Sequence, residues 1–172
     1  MRVTRRSLLR GGLITTGALA TGGASACLWL RGCAPEVAGL RVLDAHHYAT
    51  LERLVDTLFS PGASFGVDVA ALDLPRAFDG YLADEPEDVV SDLKSALILL
   101  EVGPVVDGRS AQPFSRMSRE DREAFFRAWM GGDDLTKRKI TVALRKFFNL
   151  SLYDRPEMWR HIGYPGPALG GG

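Results

Sequence analysis

From Leu43 to Leu150 the apolar residues return every three or four positions, and nowhere do they alternate convincingly with polar ones at a period of two. A 3.6-residue period suits amphipathic helices and cannot keep one face of a strand inward. Punctuation then divides the stretch. Asp44 is placed to cap a helix with Tyr48, Leu51, Leu54, Val55, Leu58 and Phe59 on one face and Glu52, Arg53 and Asp56 on the other. Ser60-Pro61-Gly62 stops it, and a loop runs through Gly66. Asp73-Leu74-Pro75 opens a short helix with Phe78, Tyr81 and Leu82 as its apolar set. Acids around Pro86 open another, whose Ala96-Leu97-Ile98-Leu99-Leu100 stretch is apolar all round and reads as the central, most buried element, ended by Gly103-Pro104. Ser118 caps a helix with a Phe125, Phe126, Trp129 stripe, closed by Gly131-Gly132. Asp133-Asp134 caps a long one to about Leu150, with Ile140, Ala143, Leu144, Phe147 and Phe148 inward and Lys137, Arg138, Lys139, Arg145 and Lys146 outward. A last short turn spans Pro156 to Ile162. The expected fold is all-α, a compact bundle of five or six helices with an extended aromatic and proline-rich C-terminal tail. An apolar fraction of 46% is ordinary for one domain with a real core.

The chain ahead of this domain has a different character. Arg5-Arg6 precedes a run, Gly11 to Ala26, that holds no charge and closes with Ala24-Ser25-Ala26, the small-x-small pattern that signal peptidases cut. Residues 1–26 therefore resemble a twin-arginine translocation signal, with Arg5 and Arg6 as its recognition pair. That route carries proteins already folded, and it implies work at the periplasmic side of a membrane. Residues 27–43 read as a tether, 44–167 as the helical domain and 168–172 as a flexible glycine-rich end. Cys27 and Cys33 stand at the head of the tether. A small disulfide, lipidation of Cys27 and idle thiols remain open readings, with lipidation ranked below the idle one because Ala24 stands where a larger aliphatic residue is usual. Leu28-Trp29-Leu30 extends the apolar run to 20 residues, about 30 Å as a helix, so retention as a membrane anchor is a further alternative.

Charge and motif content narrow the chemistry. Removing the leader's four arginines from the 21 basic residues leaves 17 against 21 acidic ones, a net charge of −4. This argues against nucleic acid as a partner. His46 and His47 are adjacent and diverge by about 100° on a helix, so they cannot chelate one metal together. There is no Cys-x-x-Cys-His for covalent haem, no glycine-rich nucleotide fingerprint and no nucleophile elbow. Carboxylates are plentiful but sit at helix starts, where capping explains them. No catalytic, cofactor-binding or metal-ligating residues are assigned, and no cofactor is expected in this chain. The basic outer face of the 134–150 helix reads as solvated in preference to a docking surface.

The second strong signal is Trp159-Arg160-His161-Ile162-Gly163-Tyr164-Pro165-Gly166-Pro167. Two large aromatics, two prolines and two glycines in nine residues leave little backbone freedom to lose and much area to bury. Trp159, Ile162, Tyr164 and Pro165 are its candidate partner-binding or tail-locking residues. With the Arg5-Arg6 leader and the opening helix from Asp44 to Phe59, this tail resembles the gluconate 2-dehydrogenase subunit 3 family over most of residues 1–10 and 44–167. The resemblance implies a small gamma subunit without a cofactor of its own. Its partner would be an FAD-dependent dehydrogenase of the glucose-methanol-choline type, exported as a passenger through the twin-arginine translocase and stabilised afterwards. A multihaem cytochrome c often completes such complexes. Two rivals stand beside this expectation: a free-standing exported enzyme with a site around His46, His47 or His161, and a membrane-tethered periplasmic scaffold for another partner.

Overall fold

A computed structural model describes residues 34–59 and 66–166. The Arg5-Arg6 leader, Cys27 and Cys33, the Ser60-Pro61-Gly62 stop and the glycine-rich end lie outside the described residues. Among the described residues there are six α-helices, two short 3₁₀ turns and no strand. The helices are α1 (Ala45–Leu58), α2 (Leu74–Leu82), α3 (Glu87–Val106), α4 (Arg119–Gly131), α5 (Leu135–Tyr153) and α6 (Pro156–Ile162). The 3₁₀ turns are Val69–Leu72 and Phe114–Arg116. The expected all-α bundle is what forms.

Four helices begin where a short polar side chain satisfies amides that the helix cannot pair itself. Asp44 accepts from His47 N, Asp73 from Arg76 N, Ser118 from Asp121 N, and Asp134 from Thr136 N and Lys137 N. Pro156 opens α6, where its missing N–H costs nothing. Asp73 takes a left-handed backbone, φ 43°, rare for a residue with a Cβ. Its carboxylate holds that conformation by accepting from Tyr48 Oη at 2.8 Å and from Arg76 Nε at 2.9 Å.

The core is one cluster. Leu51, Leu54 and Val55 of α1 meet Leu74, Phe78 and Leu82 of α2, Leu97 and Leu100 of α3, Phe125 and Trp129 of α4, and Leu144, Phe148 and Leu152 of α5. Phe78 stacks on Phe148 with centroids 5.6 Å apart and meets Phe147 edge-on at 4.2 Å. Each such side chain contributes roughly 1.5–3 kcal/mol on burial.

Several expectations are corrected. The central helix is α1, which packs against α2, α3, α4 and the Phe114 turn, while α3 packs on α1 and that turn. Ile98, Leu99 and Val106 of α3 are 41%, 47% and 75% exposed, so its all-round apolar stretch does not mark full burial. Nor does Gly103-Pro104 end α3, which continues to Val106. Gly103 lies inside the helix, and a Cβ there would overlap Trp129 Cζ2, so only glycine lets α4 approach. Pro104 forfeits the one bond its missing N–H would make to the carbonyl four residues back, and the helix still continues to Val106. Tyr81 and Ala143 face outward, and a 3₁₀ turn, Val69–Leu72, stands between the expected loop and α2.

Candidate interaction site at the C-terminal segment

The site grows from an unpaired helix end. α5 stops at Tyr153 and leaves carbonyls without helical donors. The Trp159 indole N–H donates to the Tyr153 carbonyl at 2.9 Å, which folds α6 back onto the end of α5. One turn of α6 then inserts Met158, fully buried, into the core. Gly163 terminates α6 in the left-handed region, φ 68°, and its amide bonds the Trp159 carbonyl. The Tyr164 amide donates to the same carbonyl at 2.9 Å. This reversal brings the Tyr164 ring edge-on to Trp159, centroids 5.6 Å apart and planes at 89°. Gly166, φ 100°, passes so close that a Cβ would lie 3.3 Å from Trp159 Cζ3.

Trp159 is thus a keystone whose polar and apolar surfaces are both used inside the chain. Ile162 and Tyr164 remain 46% exposed each, and Pro165 is exposed as well. Leu150 and Tyr153, on the last turns of α5, are also exposed. The structure brings Trp159 and Tyr164 together, and leaves Ile162, Tyr164 and Pro165 open to solvent on a segment held by Met158 and Trp159. Arg5 and Arg6 lie outside the described residues. His161 is exposed, and its ring lies against Gly66, where a Cβ would come within 2.9 Å of Cε1. His47 is buried in α1, with Nδ1 2.8 Å from Asp44 Oδ1. Among the described residues no three His, Cys, Asp or Glu side chains converge as a metal site would require, and no helix is long and apolar enough to cross a membrane.

Capping accounts for Asp44, Asp73 and Asp134 but not for Asp79 and Glu101. Asp79, in the middle of α2 and 2% exposed, accepts from the amides of Arg41, Val42 and Leu43 at 2.6, 2.9 and 2.7 Å. Burial raises its pKa, but the three backbone donors outweigh that and hold the carboxyl below its ordinary value. Arg76, one turn earlier, donates to the Ala38 carbonyl, so α2 fastens the backbone on both sides of the Gly39 turn. Glu101, buried in α3, accepts from Thr50 Oγ1, Ser115 N and Ser115 Oγ, joining α1, α3 and the Phe114 turn.

Buried Arg122 of α4 donates to Thr57 Oγ1, the Met117 carbonyl and Asp56. Burial lowers its pKa, against which the Asp56 charge acts. Lys137 does not point away from the bundle. It donates to Asp107 at 2.7 Å and lies 5.3 Å from the Trp129 ring centroid, while Trp129 Nε1 donates to the other Asp107 oxygen. The Lys137 hydrogen bond is the main cause holding Asp107 below the usual carboxylate range. These groups position the scaffold, and local sequence offered no signal for them because their partners lie far along the chain.

Comparison with family models, with curated proteins and with solved structures finds no match for this chain.

Proposed function

We propose that this chain is a non-catalytic small subunit that carries a folded FAD-dependent dehydrogenase of the glucose-methanol-choline type across the membrane by the twin-arginine route and stays bound to it at the periplasmic face. The observation that carries the reading is the C-terminal segment. Ile162, Tyr164 and Pro165 offer apolar surface while Trp159 and Met158 hold their backbone in place. A surface ordered before contact loses less conformational entropy on docking, and exposed aromatic groups in such a setting are frequent energetic anchors. The Arg5-Arg6 leader supports the export half of the reading. A flavoprotein must fold around its cofactor where the cofactor is made, so its carrier needs a route that accepts folded cargo. The flavin, the substrate and the chemistry belong to the partner.

The test is capture of the tagged full chain from its own host, followed by flavin analysis and identification of what co-purifies. The expected result is a stoichiometric FAD protein of the glucose-methanol-choline type, lost from the sample when Ile162 and Tyr164 are both changed to alanine. Recovery of the chain with no flavoprotein, or with a flavin bound to the chain itself, would overturn the proposal.

A further inference from the structure

We infer that the cleft between α4 and α5 is a second docking site, and that it takes an acidic peptide segment whose carboxylate bridges Arg127 and Arg145 while a neighbouring apolar side chain enters between them. The cleft has a volume of about 310 Å³. Its apolar lining comes from Leu58 at the end of α1 and from Phe126 and Met130 of α4. Two guanidiniums from different helices line the same space: Arg127 from α4 and Arg145 from α5. Both side chains are exposed.

Charge decides the occupant. Elsewhere in the bundle Arg76, Arg119 and Arg122 each face a carboxylate: Asp73, Glu123 and Asp56 respectively. Among the described residues Arg127 and Arg145 have no such partner, and the one polar contact of Arg145 is with Met130 Sδ at 3.5 Å. Glu123, the acid in the cleft lining, is held by Arg119 Nε at 3.0 Å. The cleft therefore carries uncompensated positive charge beside an apolar floor. Arg138, Lys139 and Lys146 extend that charge along the exposed side of α5. The planar guanidinium fork matches a carboxylate in two parallel hydrogen bonds, and a pair of forks from two helices fixes its direction. Phe126 and Met130 then give an aliphatic or aromatic neighbour something to pack against. Arg145 precedes Tyr153 by eight positions on α5, about 12 Å along the helix axis. The cleft is thus a contact area separate from the C-terminal segment, and it does not depend on which protein that segment binds.

The test uses the full chain and a fluorescent, N-acetylated Glu-Glu-Phe-Leu-Glu-Glu peptide, read by anisotropy. The expected result is saturable binding that weakens by at least about tenfold in the Arg127→Gln/Arg145→Gln variant, since both forks are removed. The Arg138→Gln/Lys146→Gln variant removes the same charge from the outer side of α5 and should change affinity by less than about twofold at physiological salt. Met130→Glu, which sets a like charge against the incoming carboxylate, should abolish binding and gives a check independent of the arginines. Equal losses from the two double variants would overturn the inference by reducing it to a general positive field. Undiminished binding of the all-glutamine peptide, displacement by inorganic phosphate at matching concentration, or unchanged binding by Met130→Glu would each overturn it too. So would uptake by phosphatidylglycerol vesicles with no saturable peptide binding, which would assign the arginines to a lipid surface.

Discussion

Replacing Asp79 by alanine removes the acceptor for three consecutive backbone amides, those of Arg41, Val42 and Leu43. Asp79 is 2% exposed and Leu43 is itself in the core, so water cannot freely replace the lost oxygens. A buried donor left without a partner costs about 1–3 kcal/mol. The three losses share one carboxylate and will not add fully, which sets the expected cost at roughly 3 kcal/mol. For a domain of this size that is a fall in Tm of roughly 10 °C.

Asp79→Asn keeps one oxygen in place and should cost about half as much, because the charge assistance is lost while one acceptor remains. The pH dependence has a definite sign. The folded-state pKa of Asp79 is depressed, so its stabilisation is complete above the ordinary carboxylate range and is lost as pH falls through the folded pKa. Urea melts of the parent and Asp79→Asn chains should therefore differ at neutral pH and converge in acid. An Asp79→Ala chain within about 0.5 kcal/mol of the parent, or a difference indifferent to pH, would refute the reasoning.

Gly103→Ala should destabilise by about 1–3 kcal/mol, measured by thermal melting, because its Cβ meets Trp129 and Phe125 in a filled interior. Burial, with the Asp73 hydrogen bond and charge behind it, pushes Tyr48 up to about 12. Ultraviolet titration should show Tyr48 ionising late, and Tyr48→Phe should remove that latest step and about 1 kcal/mol of stability. Because that folded pKa is raised, the Tyr48 contribution is complete below pH 10 and fades as pH rises through it. Met158→Ala should cost about 2–5 kcal/mol by leaving a cavity beneath α6, whereas Ile162→Ala, at an exposed position, should leave the melting temperature nearly unchanged and Tyr164→Ala should cost only the edge contact with Trp159, about 1 kcal/mol.

Helix starts were legible because their cause is local. Asp44, Asp73, Ser118, Asp134 and Pro156 each act within three residues of the amides they serve or spare. The end of α3 was not, since whether Gly103 breaks a helix or admits a neighbour depends on Trp129, twenty-six positions later. The exposure of Ile98 and Leu99 was hidden for a related reason: an all-round apolar stretch carries no phase to say which side faces inward. Asp79, Glu101 and Arg122 looked like ordinary helix-surface residues, because, apart from the Met117 carbonyl on Arg122, the groups that justify their burial lie 14 to 66 positions away. At the C-terminal segment the composition pointed to Trp159, Ile162, Tyr164 and Pro165 together. The sequence left open which of the four candidate residues are spent inside the chain; the Tyr153 carbonyl, an orphan of the preceding helix, answers that for Trp159.

The most direct test of the proposed role follows the flavoprotein itself. In cells of the native host, the FAD content and dehydrogenase activity of the partner would be measured in cytoplasmic and periplasmic fractions, with the parent chain and with Arg5→Lys/Arg6→Lys. The account predicts that the double variant leaves the partner folded and loaded with flavin in the cytoplasm, and that the periplasmic fraction loses it. A flavoprotein that reaches the periplasm undiminished with the double variant would contradict it.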